Sequence, residues 1–447
     1  MRSTSVDRRG IRGIAIVVAI VIAATLILSL APVSSAQTIG GSAPLSSSQA
    51  QSRSVSDSSG TSPLQTLINS ASPGATVYLP RGTYIGQLQI DHSLDVVGAG
   101  IGSTILQSPA VMSPDNLGNV FVVEIGDHAS VQLSGVTVRV TEQCMLANPI
   151  GVATGGGIGV RDNASLDVWD VKAVAYGPYP DLNQVCTTST DQPGMLSFGR
   201  AISIGLDDPI GDGTNSQDEG HGTITGVYTH GFDIFSISVG GVRGPSFSTA
   251  TIIGNTVRVG PGPYTAAYGI VVYGKSIVSH NLVTGTAGSD GGIAVVITSA
   301  IVTDNVVRNF SCLTAPFPIS PPCGVNPLTQ DQDLGIFLAS ITPGTVVEHN
   351  EIDNVDAGIL VEGPGAPAVV TDNTIRDSTY YGLDLIDANQ TFRANVVTGG
   401  EYVIAVGAAA ANTTAVLLHE NMRGYSVGIA LLAEISPYVA NVVVRSM

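Results

Sequence analysis

Short apolar runs broken by one fixed polar position recur down the second half of this chain. The phrase is apolar-apolar-x-x-Asn-x-apolar, as in IIGNTV, IVSHNLV, IVTDNVV, VVEHNEI, VVTDNTI, TFRANVV, LLHENM and YVANVV. Its asparagines are Asn255, Asn281, Asn305, Asn350, Asn373, Asn395, Asn421 and Asn441, spaced by 26, 24, 45, 23, 22, 26 and 20 residues. The longest interval is either two periods or one period with a long insertion. A second phrase opens on Gly-apolar 12 to 15 residues upstream of most of these asparagines, as in YGIVVYG, GGIAVVIT, LGIFLAS, AGILVEG, YGLDLID and VGIALLA. A period of this length holding at least two short β-branched runs is too short for paired helices or a propeller blade. It predicts one turn of a parallel β-solenoid.

In such a solenoid each coil stacks on the last at the strand spacing, so one sequence position becomes a ladder along the axis. An Asn suits a tight corner because it tolerates left-handed backbone and its amide bonds its neighbours above and below. The Gly of the second phrase reads as another corner residue. Without the Asn, the register extends back through LSGVTVRV at Val136, VWDVKAV at Val171 and ITGVYTH at Val227, to an opening turn near SLDVVGAG. The predicted fold is all-β: a right-handed parallel β-helix, a single-stranded solenoid of about eleven to twelve coils, ~50–60 Å long. Ser62-Pro63-Leu64-Gln65 reads as a capping box, with Leu64, Leu67, Ile68 and Ala71 at helical spacing. This predicts an N-terminal helix near 63–71 that covers the open end of the first coil.

The stretch LQTLINSASPGATVYLPRGTYIGQLQIDHSLDVVGAGIGSTIL resembles the opening of the pectin-lyase-like right-handed parallel β-helix superfamily. The Asn repeats resemble its generic β-helix repeat, as in the periplasmic copper-site maturation proteins. The resemblance covers residues 62–447. It implies the fold; the superfamily spans lyases, hydrolases, epimerases, phage spikes and adhesins, so it does not fix an activity.

Residues 1–36 read as a signal peptide. Arg2, Arg8, Arg9 and Arg12 precede an apolar run from Ile14 to Leu30, and Ser34-Ser35-Ala36 supplies a cleavage site. Without cleavage the run would hold the protein at the cell surface; with it the protein is secreted or extracytoplasmic and free of the membrane. Residues 37–61 read as a Ser/Gly-rich disordered linker. The remainder, 62–447, is one elongated domain. The formal charge is −17, with Lys172 and Lys275 the only lysines. That argues against nucleic acid as a partner, and against a polyanionic glycan unless calcium or a local arginine cluster reverses the field. Cys144 and Cys186 fall in the same corner loop of consecutive coils, and Cys312 and Cys323 bracket a prolyl loop. Adjacency favours the disulfide pairs 144–186 and 312–323.

Departures from the repeat locate the candidate chemistry. Insertions fall at 141–156, 174–199 and 310–333, with a shorter one at 261–266 and an acidic one at 207–222. The densest polar stretch is GLDDPIGDGTNSQDEGHGT. Asp208, Asp212 and Glu219 fall at positions 1, 5 and 12 of an EF-hand-like loop, although Ile210 at position 3 cannot ligate, so calcium is one reading. Asp207 and Asp208 followed by His221 resemble two elements of the polygalacturonase family, whose other elements are missing; this is a second reading, with Asp207, Asp208, His221 and Arg200 as the catalytic candidates. The third is a solvated acidic loop. HGFDIF at 230–235 shares Gly-Phe-Asp with the alginate-epimerase motif, but Ile234 and Phe235 replace its Pro-His, leaving Asp233 a structural role. His280, Asp304, His349 and Asp372 precede successive ladder asparagines and read as an exposed ladder avoiding like-charge stacking.

Two functions remain open. In the first, an exported β-helix binds, and as an enzyme cleaves, an extracellular polysaccharide in a loop-walled groove, as a polysaccharide lyase or glycoside hydrolase. In the second it is a non-catalytic surface or adhesion module.

Overall fold

The computed structural model describes residues 63–114, 119–145, 155–177, 185–187, 193–205, 219–240, 246–260, 267–286, 289–310, 333–408, 413–433 and 440–445. They build a right-handed parallel β-helix. A narrow sheet of 12 strands takes one strand from each coil, and a wide sheet of 23 strands takes the other strands of the coils. Every pairing within the two sheets joins one coil to the next in parallel register, as in Ile336↔Ile359 and Val370↔Phe392. The inward columns are β-branched or leucine at nearly every level. Ile158, Ile202, Ile237, Ile270, Ile293, Ile336 and Ile359 form one such column, each fully buried. Period-2 alternation in every strand sends these residues to the core and the residues between them outward.

The N-terminal helix α1 spans Pro63–Ser70 and buries Ile68 against the first coil. Gln65 does more than face water. Its amide nitrogen donates to the Gln89 carbonyl at 2.7 Å and its amide oxygen accepts from the Gln89 N–H at 2.8 Å. One side chain thus satisfies a residue of the narrow sheet's bare first strand, 88–90. Ser62 lies outside the described residues.

The corner between the two runs of the wide sheet carries the ladder. Asn255, Asn281, Asn305, Asn350, Asn373 and Asn395 are at most 1% exposed. Each of the first five donates both its backbone N–H and its side-chain amide to the Oδ1 of the next, at 2.9–3.1 Å for Asn350 onto Asn373 and 3.0 Å for both bonds of Asn373 onto Asn395. Asn305 bonds Asn350 directly, so the 45-residue interval is one coil with an insertion. Val136, Val171 and Val227 occupy the same column, as their register pairs require.

Three details differ from the sequence reading. The left-handed residue is the one before the rung: His280, Asp304, His349, Asp372 and Ala394 before asparagines and His419 before Glu420 all have φ between 54° and 58°. The Asn itself is spared that conformation and spends its amide on the ladder. Second, Asn421 and Asn441 are not rungs. Val396 pairs with Asn421, so Glu420 lies under Asn395 and takes its bonds at 3.1 and 3.2 Å; Asn441 pairs with Thr414. Third, the glycines opening the second phrase have no positive φ. A Cβ on Gly358 would lie 2.4 Å from the Gly382 carbonyl oxygen and 2.6 Å from Ile375 Cγ2, so close packing requires them.

The insertions at 141–156 and 174–199 pack together. Strands 143–145, 185–187 and 193–197 form a small antiparallel sheet. Cys144 is disulfide-bonded. The side chain of Cys186, and Cys312 and Cys323, lie outside the described residues, so both pairings stand as proposals.

Candidate functional site

One column of the narrow sheet points away from the core, and most of its side chains are nevertheless buried. It runs through Glu124, Gly159, Ser203, Ser238, Val271, Ala294, Phe337, Leu360, Asp384 and Ala405. It is polar at its N-terminal end and apolar over its later coils. Leu360 and Ala405 join Leu334, Ala357 and Tyr381 in an apolar cluster separate from the main core, flanked by Phe337, Tyr380, Ile386 and Tyr402. Tyr381 and Tyr402 are register partners, and their rings stack at 5.5 Å and 24°.

One carboxylate interrupts this apolar face. Asp384 stands between Leu360 and Ala405 and is 3% exposed. Burial pushes its pKa up to about 7; the Glu362 charge adds to this and a hydrogen bond from the Leu385 N–H opposes it. Burial and the Asp387 charge also raise Glu362. Tyr381 is pushed up by burial and then by Asp384, so it remains a neutral hydroxyl at physiological pH. The group combines a flat aromatic surface, a phenol that donates a proton in a hydrogen bond, and a carboxyl near half-protonation at neutral pH.

The sequence candidates are placed differently. Arg200 lies at the start of narrow-sheet strand Arg200–Ile204 and is buried. Its guanidinium sits 5.2 Å from the Phe235 ring centroid and 3.4 Å from Ser203 Oγ, which bonds Ser238 Oγ at 2.9 Å. Nearby, Arg161 bonds Glu124 at 2.5 Å and pairs with Asp162. The strand is bordered by the 174–199 insertion on one side and the acidic segment on the other. His221 is elsewhere: it opens a wide-sheet strand, its ring bonded to Thr249 Oγ1 at 2.9 Å and Asn163 Oδ1 at 2.8 Å. Arg200 and the corner leading to His221 are separated by a whole strand, ~13 Å of extended chain. The structure therefore does not bring Arg200 and His221 together. Asp207, Asp208 and Asp212 lie outside the described residues. Glu219 is described, and its carbonyl accepts from the Asn163 N–H at 2.8 Å. Among the described residues no group of three or more His, Cys, Asp or Glu is placed to hold a metal ion.

Asp233 is structural, as read from the sequence. Its Oδ1 accepts from Ser197 Oγ at 2.8 Å and from the N–H groups of Phe198 and Gly199 at 3.1 and 3.0 Å, fixing the turn before Arg200. Burial outweighs these donors and holds its pKa at about 7. His280 and Asp304 approach to 3.9 Å at an exposed corner.

Residues 235–421 match the family model described as a right-handed β-helix region. The chain is a right-handed parallel β-helix protein. Among solved structures, the periplasmic alginate epimerase AlgG is 12% identical, with a TM-score of 0.52 over 86% of this chain and 88% of that one. The A-module of the Azotobacter vinelandii mannuronan C-5 epimerase AlgE4 is 14% identical, with a TM-score of 0.40 over 83% and 94%. A PL6 alginate lyase in complex with a trisaccharide is 10% identical, with a TM-score of 0.42 over 83% and 85%. The likeness to AlgG is one of fold. No curated protein sequence matches the chain.

Asp384 was missed by sequence reasoning because it sits inside a regular repeat, whereas attention fell on insertions. Aligning YGLDLID with AGILVEG and LGIFLAS exposes it: the third residue after the glycine of the phrase, counting it as the first, is apolar in the others and acidic here.

Proposed function

We propose that this protein binds an extracellular polysaccharide along the outer face of its narrow sheet and acts on it at Asp384. The observation that carries this reading is a buried, near-neutral carboxyl beside two stacked tyrosines on the column that points away from the core. Stacked rings recognise the apolar face of a sugar, and the column gives an extended polymer a straight track across coils. Asp384 gives or takes a proton at a sugar carbon or glycosidic oxygen. Tyr381 holds the reacting sugar through its hydroxyl, and Glu362 keeps the Asp384 proton near neutral affinity. An alginate epimerase shares this fold, which makes polyuronates the first polymers to assay.

Calcium at Asp208, Asp212 and Glu219, and catalysis by Asp207, Asp208 and His221, stand as further proposals for the acidic insertion; calcium titration of the exported protein and of Asp208→Asn tests them. A second reading, a non-catalytic glycan-binding or adhesion module, is favoured by the apolar character of the column on both sides of Asp384. The two separate by experiment. The exported protein is screened for binding and for modification of neutral and uronate polymers, with Asp384→Asn and Tyr402→Ala. In the enzymatic reading Asp384→Asn abolishes turnover and leaves binding nearly intact, while Tyr402→Ala weakens binding. Turnover unchanged in Asp384→Asn removes the site.

A further inference from the structure

The outer face of the wide sheet holds a feature that the Asp384 site does not use. The residue three positions after each ladder residue points outward from the coil's second wide-sheet strand. Down the stack this column reads His230, Arg258, Thr284, Arg308, Asp353, Arg376, Thr398, Arg423. The arginine recurs at every second coil. With one strand spacing per coil, the Cα atoms of successive arginines stand ~9.6 Å apart along a straight line. All four arginines are exposed.

This is an uncommon use of cations in a chain whose formal charge is −17 with 18 basic residues. The screening length in physiological salt is ~8 Å, so a ligand lying along the column responds to these arginines more than to acids on distant faces. Two acids lie within the stripe: Asp353 shares the column, and Glu351 pairs with Arg376. They dilute its charge, so the matching ligand carries sparse charge as well. A nucleic acid strand, with a phosphate every ~3.4 Å, would leave most of its charge against an acidic body.

We propose that this column is a binding track for a linear anionic polysaccharide lying parallel to the solenoid axis. A sugar ring with its linkage is close to one coil in length, and a two-fold extended glycan turns alternate rings to the same face. Its same-face carboxylates or sulfates then meet an arginine at every second coil, and Thr284 and Thr398 face the intervening rings. Arginine suits this role because its fork binds carboxylate and sulfate through paired N–H donors.

The test uses the exported protein and three probes: a linear polyuronate, the same polymer with its carboxyls reduced, and single-stranded DNA of matched length. The track predicts salt-sensitive polyuronate binding that Arg308→Gln with Arg423→Gln weakens by about tenfold or more, as does Arg258→Gln with Arg376→Gln. A charge-matched control on the neighbouring exposed face, Lys275→Gln with Arg393→Gln, leaves binding close to the parent value. Loss of binding in the two arginine pairs, which lie on the wide sheet, is what separates this track from the narrow-sheet site. Absent polyuronate binding, equal loss in the control pair, equal affinity for the reduced polymer, or DNA bound as tightly would each overturn it.

Discussion

At the residue scale, the ladder gives every amide the same direction. Each Asn donates two hydrogen bonds toward the C-terminal coil, from Asn255 through Asn395, and the series ends on Glu420. Glu420 offers two acceptor oxygens, one to each donor of Asn395, and so closes the series. Replacing Asn350 with Ala strands the two donors of Asn305 above it and deletes its own side-chain bond to Asn373, while the backbone N–H at 350 keeps its bond. The expected loss is roughly 3 kcal/mol or more of unfolding free energy in urea, since each orphaned buried donor costs ~1–3 kcal/mol. Asn421→Ala, off the ladder, is expected to change stability by less than ~0.5 kcal/mol. Equal losses in the two variants would contradict the register. Gly358→Ala, where a Cβ would meet a carbonyl and a core isoleucine, is expected to destabilise by ~1–3 kcal/mol through overpacking.

Three buried carboxyls make a pH prediction on the same scale. Asp233, Asp384 and Glu420 are each held at about 7 by burial. The folded chain therefore keeps their protons to higher pH than the unfolded chain does. Between about 4 and 7 the native state binds more protons, so stability falls as pH rises through that window and levels off above it. Each fully titrating group contributes ~1.4 kcal/mol per pH unit across its window, less for Glu420, which is partly accessible. Denaturant midpoints should be lower at pH 8 than at pH 5.5, and Asp384→Asn should flatten part of that slope. Other surface groups act on the same curve, so the difference between parent and variant is the quantity to read.

At the scale of elements, the strands and corners were legible because one coil predicts the next. Val136, Val171 and Val227 were placed in the ladder column from sequence alone, and pairing confirms each. The end of the ladder was misread because Asn421 keeps the phrase while the chain shifts by one residue, and only hydrogen bonding shows that Glu420 has taken the rung. The glycines were found but misexplained, because φ cannot be read from a sequence and contact with the next coil can be required without it. Functional groups were harder to see. Asp384, and the arginines three residues past each ladder position, acquire meaning only when coils are stacked and equivalent positions become neighbours. The acidic insertion drew attention by composition, whereas the structure separates Arg200 from His221 onto different sheets.

At the scale of the whole molecule, the solenoid aligns repeated positions into lines parallel to its axis, and a linear polymer matches that geometry. The narrow sheet offers an aromatic and acidic line, the wide sheet a sparse cationic one. Among the described residues no helix is long and apolar enough to cross a membrane. The measurement that bears most directly on this account is a crystal structure of the protein soaked with a uronate oligosaccharide. The account predicts sugar rings along the narrow sheet's outer face, one stacked on Tyr381 or Tyr402 and with a polar atom within hydrogen-bonding distance of Asp384. An oligosaccharide bound reproducibly elsewhere, with the Asp384 face empty, would contradict it.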